Sequence, residues 1–486
     1  MKDLLAAVTR VYPSERSPPA SAGFVTTLRH YQKQSLSFMI DTEESQGWTV
    51  RLTHYAPYDG GKSTNTRGNT FQTRGGWLCS EVGMGKTAVI IALVASKPAP
   101  QALFLLPKLD GRTRLKATVV MTSVSLMGQW EDECRKHAPT LKVVRFHPSA
   151  YKKTSRNAIN TADIIITSAT YKPERWSMCG VNLEQVMFHR VVMDESHLFY
   201  SRSGSASSDK ARAVPAMNRW CCTATPMTST VSELGPQCYY LHMGDNKRYR
   251  LSEDTEFLKQ HMIRHVKAQK INGIDALALP KSTSSVRMVT MTPVEQRAYA
   301  MTVTDNLQTL QRMKSGSAPF FAVQNQIVYT LTKPLLTARS SKIMALETAI
   351  TELMRNDPNV RVVVFTQMRD QLVHVQNMVK SLSVRTRGGV GLYSFDGSSS
   401  HKKRDDSIRQ FQSTARAGPA VFGITLKTGS VGITLTAASH VFLLEPSIDP
   451  ADEIQAAGRI NRLGQYVLYW MDGVLCCTFF FSLFFL

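Results

Sequence analysis

The chain has 486 residues, 43% of them hydrophobic, so it can bury a sizeable core and is long enough for roughly two to four domains. Its 58 Lys and Arg residues outnumber 37 Asp and Glu residues. The resulting charge of +21 favours a polyanionic partner such as nucleic acid, because each neutralised phosphate releases condensed counterions. The eight cysteines form no C-x-x-C pair, which argues against a zinc site and fits a reducing compartment rather than secretion.

In chain order, residues 1–22 predict a flexible N-terminal arm, because prolines stand among serines. Residues 28–40 carry apolar side chains at helical spacing, and residues 49–74, rich in Gly, Thr and Asn, predict an exposed insertion. Short apolar runs then alternate with helical segments over residues 76–223 and again over residues 341–460. This alternation predicts an α/β fold of parallel sheets flanked by helices, with the functional loops at the C-terminal ends of strands.

The segment Gly83-Met-Gly85-Lys86-Thr87 follows an apolar run and opens a helical one. Glycines allow backbone N–H groups to point at phosphate oxygens, and a helix N-terminus adds a favourable dipole. Lys86 would neutralise the terminal phosphates of ATP, and the Thr87 hydroxyl would hold Mg²⁺. Ser80 stands where the strict phosphate-loop pattern has its first glycine. A Gly-rich turn without a ligand therefore stays open as an alternative.

A second candidate segment is an apolar strand that ends in Asp194-Glu195-Ser-His197. Asp194 would hold Mg²⁺, and Glu195 would orient and deprotonate the attacking water. His197 would sense the γ-phosphate. Taken alone, a strand that ends in two acids is more often the start of a solvated loop, so the interpretation depends on the phosphate loop.

Further motifs follow in a fixed order: Ser125-Leu-Met-Gly-Gln129-Trp130, Thr223-Ala-Thr-Pro226, Phe365-Thr-Gln367, Phe395-Asp-Gly-Ser398, Lys427-Thr-Gly-Ser-Val-Gly-Ile-Thr-Leu-Thr436 and Gln455-Ala-Ala-Gly-Arg-Ile-Asn-Arg-Leu-Gly-Gln465. This ordered set resembles the Swi/Snf family of superfamily 2 helicase-like, DNA-dependent ATPases over about residues 28–465. The R-x-G-Q ending is more typical of DNA-translocating relatives than of RNA helicases.

The resemblance implies two RecA-like lobes in tandem, with an ATP cleft between them. It implies that Gln32 reads the adenine and that Glu81 and Gln455 contact the nucleotide. Arg459 and Arg462 would reach the γ-phosphate across the cleft and join Lys86 and Glu195 as catalytic residues. A structural ion pair that caps a helix is the alternative role for the two arginines.

The resemblance also implies roles in coupling and in DNA contact. Thr223 and Thr225, together with His197, would couple the nucleotide state to lobe movement. Residues in four positions would face the nucleic-acid backbone and read phosphates rather than bases. They are Thr122, Ser123, Lys427 and Thr436.

These motifs divide the chain into a first lobe at residues 23–250, a connector at 251–338 and a second lobe at 339–465. Residues 466–486 form an atypical apolar tail. Its most apolar stretch is shorter than the roughly 20 residues that a membrane span needs, so we expect no membrane contact. A truncated or misread gene end is the preferred interpretation of this tail, and a tail anchor is the alternative.

The sequence thus predicts an ATPase that converts ATP and water to ADP and phosphate while moving along duplex DNA. Chromatin remodelling or DNA repair in the nucleus would be its task, with nucleosomes as a further partner. The alternative is a catalytically weak DNA-binding or scaffold protein with a truncated second lobe. An RNA-unwinding helicase is disfavoured by the R-x-G-Q ending.

Overall fold

The chain divides into two compact units, Met1–Ala278 and Leu279–Leu486. Each is described here by itself. The computed structural model describes residues 2–45, 47–51, 70–101, 112–146, 154–168, 174–197, 211–227, 230–243, 255–277, 282–297, 300–301, 340–413, 417–429, 433–445, 453, 456, 458, 460 and 469–476.

The first unit is built on one large sheet and surrounding helices. Its helices of four or more residues are α1 Lys2–Val8, α2 His30–Glu44, α3 Lys86–Ser96, α4 Met127–His137, α5 Arg156–Thr161, α6 Glu174–Ser177, α7 Leu234–Tyr240 and α8 Thr255–His261. Its strands are β1 Trp48–Arg51, β2 Thr70–Leu78, β3 Thr113–Thr122, β4 Val143–Arg145, β5 Ile164–Ser168, β6 Val186–Asp194, β7 Ala216–Cys222, β8 Met262–Ile263, β9 Lys270–Ile271 and β10 Ile274–Asp275.

The strands of this sheet lie in the order β1-β2-β7-β6-β3-β5-β4, with β8 paired to β2. All of these neighbours are parallel except β1 and β2. The central strands are buried on both faces: Val119 and Met121 join one core cluster, while the intervening Val120 is equally buried. Near-continuous apolar strands of this kind are typical of a parallel sheet covered on both sides.

The crossover order places the functional segments side by side. The phosphate loop follows β2, residues 194–197 follow β6, and residues 223–226 follow β7. Strands β2, β7, β6 and β3 are consecutive neighbours, so their C-terminal ends lie along one edge of the sheet. The fold therefore brings together motifs that are far apart in sequence.

The second unit also contains one parallel sheet, in the order β11-β16-β15-β12-β14-β13. Its strands are β11 Ser282–Val289, β12 Arg361–Thr366, β13 Gly391–Phe395, β14 Ala420–Thr425, β15 His440–Leu443 and β16 Tyr469–Cys476. Its helices with described bounds are α9 Ser341–Asn356, α10 Arg369–Arg385, α11 His401–Gln412 and α12 Leu426–Gly429.

Two separate core clusters cover the faces of this second sheet. Val362 and Val364 of β12 pack with α9 and α10, while Val363 and Phe365 pack with Phe411 of α11. Successive residues of a strand point to opposite faces, so this division shows helices on both sides. Both units therefore have the RecA-like α/β architecture that the sequence predicts, and the prediction of fold class is confirmed.

The structure corrects the prediction of a flexible arm at residues 1–22. Helix α1 is packed on the first unit, with Val8 fully buried and Leu4 nearly so. Thr9 then forms a bridge with Arg264, whose guanidinium also donates to the Thr9 hydroxyl over 2.8 Å. Leu4 and Val8 are four residues apart and share one helical face, a signal that the neighbouring prolines and serines obscured.

Three other predicted segments contribute to the sheets. The two ends of the insertion predicted at 49–74 fall in the antiparallel pair β1 and β2, while residues 52–69 lie outside the described residues. The connector predicted at 251–338 supplies β8 to the first sheet and β11 to the second. The tail predicted at 466–486 supplies β16, which pairs with β11 on one side and β15 on the other.

Candidate active site

The phosphate loop has the backbone conformation that its glycines predict. Gly83 and Gly85 have φ of +83° and +73°, in the left-handed region that favours glycine. Gly85 is the N-cap of α3, so the first N–H groups of that helix lie directly after it. A Cβ atom at Gly85 would lie 2.7 Å from Nε2 of Gln32, so a side chain there would displace the Gln32 amide. The loop thus forms a narrow cradle suited to an anion.

Gln32 is buried at the start of α2 and is bonded to this loop. Its Nε2 donates to the carbonyl of Met84 over 3.3 Å, and its Oε1 accepts from the backbone N–H of Arg29 over 2.9 Å. The amide that we expect to read adenine therefore lies beside the phosphate loop. Its contact with a base stays a prediction.

Lys86 lies half-buried at the first position of α3. Its ammonium donates to the carbonyl oxygens of Ser80 over 2.9 Å and Glu81 over 3.5 Å. Burial raises the pKa of Asp194, and the positive charge of Lys86 opposes that rise. The cation of the phosphate loop and the acid at the end of β6 therefore share one electrostatic environment.

Glu81 is bonded to the segment that follows β8. Its backbone N–H donates to the carbonyl of His265 over 2.9 Å. Its carboxylate accepts the backbone N–H of Lys267 over 2.9 Å, and the Lys267 ammonium lies 3.9 Å away. Glu81 thus fastens the segment after β8, and its predicted contact with the nucleotide stays a prediction.

Asp194 is buried and held by three hydrogen bonds. Its Oδ2 accepts from the Trp130 indole over 2.7 Å and from the Thr122 hydroxyl over 3.2 Å, and its Oδ1 accepts from the N–H of Glu195 over 3.1 Å. Burial, and then the charge of Glu195, raise the pKa of Asp194 to about 6 against the lowering effects of Trp130 and Lys86. An anion in such surroundings gains from a bound cation.

Glu195 has an unusual backbone, with φ of +49°. A non-glycine residue in this region is uncommon and is concentrated at functional sites. Its carboxylate lies 3.7 Å from Nδ1 of His197, while that same nitrogen is bonded to the Thr223 hydroxyl over 2.7 Å. The Thr223 hydroxyl also accepts the N–H of Thr225 over 3.1 Å. The fold therefore brings the three predicted coupling residues together beside Glu195.

Two of the residues predicted to face nucleic acid are engaged within the protein. Thr122 is fully buried and bonded to Asp194, because β3 neighbours β6 and the two strands end together. The structure overturns the prediction for Thr122, whereas Ser123, the next residue, is half-buried at the start of the following loop. The hydroxyl of Thr436 accepts from Nε2 of Gln412 over 3.3 Å. Lys427 lies on α12, and its side chain is outside the described part of the structure.

Three segments of the second unit meet in a buried polar cluster. The carboxylate of Glu445 accepts from the Thr366 hydroxyl over 3.1 Å and from the N–H of Gln367 over 2.9 Å. The ammonium of Lys342 donates to the carbonyl of Leu444 over 2.9 Å. Burial raises the pKa of Glu445, and Lys342 opposes that rise. This cluster fixes the ends of β12 and β15 at one edge of the second sheet.

The predicted nucleotide contacts of the second unit lie outside the described residues. They are Gln455, Arg459 and Arg462. The neighbouring Ala456 and Ile460 are buried in the core of the second unit. The predicted convergence of Lys86 with the two arginines stays a prediction.

Two residues near the site were not singled out from the sequence. Trp130 belongs to a recognised block, but nothing in the block indicates that its indole bonds Asp194. Gln237, on α7, lies outside every motif, yet it contacts the loops after β6 and β7. A buried amide partner of this kind depends on tertiary packing and leaves no periodic signal.

Comparison with known proteins agrees with this geometry. The SNF2-related domain matches residues 31–244, and the helicase conserved C-terminal domain matches residues 342–464. The chain belongs to the Swi/Snf family of superfamily 2 helicase-like proteins. The two matched ranges fall within separate units, and each contains one of the two parallel sheets.

Relatives of this Swi/Snf family member have varied names. It is 23% identical to the Bos taurus DNA excision repair protein ERCC-6-like, over 81% of this chain and 37% of that protein. It is 21% identical to the Homo sapiens helicase-like transcription factor, over 74% of this chain and 48% of that protein. A probable global transactivator of Orgyia pseudotsugata multicapsid polyhedrosis virus is 24% identical over 80% of each chain. The chain thus spans less than half of the first two relatives.

Among solved structures, the Sulfolobus solfataricus SWI2/SNF2 ATPase core in complex with dsDNA is similar at 19% identity and a TM-score of 0.40. The match covers 96% of this chain and 90% of that one.

Within the described residues, no helix has the length and apolar character of a membrane span, and no group of three or more His, Cys, Asp or Glu residues forms a metal site.

Proposed function

We propose that this chain is an ATP-dependent DNA translocase that hydrolyses ATP to move along duplex DNA. One observation carries the proposal: the phosphate loop with Lys86 follows β2, the acids Asp194 and Glu195 lie at the end of β6, and these two strands flank β7 in one sheet. The charge of +21 supports a nucleic-acid partner. The task that we propose is chromatin remodelling or DNA repair in the nucleus, and the name of one relative, a DNA excision repair protein, supports repair.

The residues fit a magnesium nucleotide. The left-handed Gly85 shapes the loop, Lys86 supplies a cation, and Asp194 supplies a buried carboxylate oriented by hydrogen bonds. Thr87 and Asp194 would hold Mg²⁺, which supplies charge neutralisation at the phosphate oxygens when bound. Glu195 would accept the proton of the attacking water, and His197 would relay the change to Thr223 through their hydrogen bond.

The scaffold alternative depends on an incomplete second lobe. Strand β16 counts against it, because it fills the position between β11 and β15 in the second sheet. Arg459 and Arg462 complete the proposed mechanism by stabilising charge on the transferred phosphate.

The test is ATP turnover without nucleic acid and with duplex DNA, RNA or nucleosomes. We expect duplex DNA to stimulate most, Lys86→Ala to abolish turnover, and Glu195→Gln to lower it by about 10²–10⁴-fold. Lys97→Ala, at the other end of α3, is the matched control and should retain turnover. Unchanged turnover in Lys86→Ala would exclude this site as the ATPase centre.

A further inference from the structure

Gln237 is a fully buried amide whose oxygen and nitrogen each have two partners. Its Oε1 accepts from the Trp77 indole over 3.1 Å and from the Ser196 hydroxyl over 3.0 Å. Its Nε2 donates to the carbonyl of Pro226 over 2.7 Å and to that of Glu233 over 3.3 Å. A side-chain amide has two donor hydrogens and one acceptor oxygen with two lone pairs, so this environment uses its full capacity.

The partners of Gln237 come from segments that carry the candidate active site. Ser196 lies between Glu195 and His197 in the loop after β6. Pro226 ends the 223–226 segment after β7, and Trp77 is the penultimate residue of β2, just before the phosphate loop. One side chain of α7 thus joins the ends of three strands that are neighbours in the sheet.

The loops after β6 and β7 are therefore linked twice. One link is the hydrogen bond between His197 and Thr223. The other runs from Ser196 through the Gln237 amide to Pro226. A fully satisfied buried network resists displacement, because a shift of either loop leaves polar groups without partners in a low-dielectric interior.

We propose that Gln237 is a positioning residue for ATP hydrolysis. Through Ser196 and Pro226, it holds the loop that carries Glu195 in a fixed position relative to the 223–226 loop. This inference rests on the proposed ATPase function. Packing alone would be served by an apolar side chain of similar size. The amide instead bonds to the segments that carry the water-activating and coupling residues, where a displacement of about 1 Å can cost about 10²-fold in rate.

The test is a double-mutant cycle on DNA-stimulated ATP turnover with Gln237→Met, Ser196→Ala and the double variant. We expect Gln237→Met to lower kcat between about tenfold and 10²-fold while KM for ATP changes less than about twofold. Because Gln237 acts through Ser196, Ser196→Ala should lower kcat in the wild-type background and have little further effect beside Gln237→Met.

Gln34→Met is the matched control. Gln34 is also a buried amide of the first unit, but it bonds to the N–H of Tyr12 and the carboxylate of Glu15, neither of which belongs to the candidate site. We expect its kcat to match that of the wild type. If Gln237→Met does not fold, the kcat of Ser196→Ala carries the test, since it removes the same link with a smaller change.

Three results would overturn the inference: a folded Gln237→Met with wild-type kcat, Ser196→Ala with wild-type kcat, or equal effects of Ser196→Ala in both backgrounds. In each case wild-type turnover continues and the proposed function stands. A wild-type chain without ATP turnover would instead overturn the proposed function, and this inference with it.

Discussion

The indole of Trp130 donates a hydrogen bond to the carboxylate of Asp194 over 2.7 Å. Trp130 lies in α4, and Asp194 ends β6, so the bond joins a helix to the strand that carries the candidate metal ligand. Both side chains are buried, which makes the bond strong and its loss costly. The direction in which Asp194 presents its carboxylate therefore depends on a residue outside the acidic motif.

We expect Trp130→Phe to weaken the binding of Mg²⁺ with nucleotide. Hydrogen-bond partners of metal ligands contribute about 10–100-fold to metal affinity, and phenylalanine keeps the ring but lacks the donor. The measurement is the Mg²⁺ concentration at half-saturation of ATP turnover. Trp176→Phe is the control, because Trp176 is equally buried and stacks on Phe146 with ring centres 4.6 Å apart. Equal Mg²⁺ requirements in the two variants would contradict the prediction.

Breaking one buried ion pair should destabilise the first unit. Both Arg190 and Glu43 are buried, and the guanidinium contacts both carboxylate oxygens over 2.6 Å. The Trp220 indole donates to the same carboxylate over 3.0 Å. Although burial opposes ionisation, the charge and hydrogen bonds of Arg190 lower the pKa of Glu43.

We expect Glu43→Gln to lower the free energy of unfolding by about 3–5 kcal/mol, because it leaves the Arg190 charge buried and unpaired. Urea unfolding measures the change. The exposed pair of Lys259 and Glu256 is the control, and Glu256→Gln should change stability by less than about 1 kcal/mol. Similar decreases in the free energy of unfolding in both variants would show that burial does not make the loss of the Arg190 partner more costly.

Two buried histidines predict a loss of stability in mild acid. Burial lowers the pKa of His265 and of His189 to about 4 in each case, from an ordinary value near 6.5. The unfolded chain therefore binds protons first as the pH falls. Protonation of these histidines therefore does not reduce the free energy of unfolding above about pH 6.5. Between about pH 6.5 and pH 4, each histidine lowers that free energy by up to about 1.4 kcal/mol per pH unit.

Asp194 acts in the opposite direction, since its raised pKa lets the folded state bind a proton first as the pH falls below about 6. The pH dependence of the wild-type stability therefore combines both effects, and a histidine variant is needed to separate them. We expect His265→Asn to show a shallower decrease in unfolding free energy between pH 7 and pH 5 than the wild type. Urea unfolding at the two pH values measures the slopes, and parallel slopes would show that His265 does not titrate in this way.

Strand β16 should be required for the second unit. It pairs with β11 over eight residues and with β15 over four, so its removal would expose the edges of both strands. We expect a chain that stops after residue 468 to aggregate, whereas one that stops after residue 476 keeps the strand and stays soluble. Soluble yield and size-exclusion chromatography distinguish the two, and equal solubility would contradict this role.

The sequence predicted most elements because their physical signals are local. Helix α3 begins at Lys86, directly after the left-handed Gly85 that the phosphate-loop motif requires. The apolar strand predicted before Asp194 extends over Val186–Asp194, and its buried His189 and Arg190 interrupt the apolar run in the sequence. Helix α1 is absent from the prediction because the prolines and serines of residues 13–22 dominate this segment, although Leu4 and Val8 share one helical face and are buried.

The sequence by itself determined which residues are candidates to bind phosphate, hold a metal ion or activate water, because such candidates are recognised by short motifs. Only the tertiary structure decided their partners. Thr122 lies 72 residues before Asp194 and Gln237 lies 41 residues after Ser196, and parallel crossovers bring each pair to one sheet edge. Such contacts depend on strand order and side-chain direction, which no local pattern encodes. Thr122, which the sequence predicts to face DNA, is therefore bonded to Asp194.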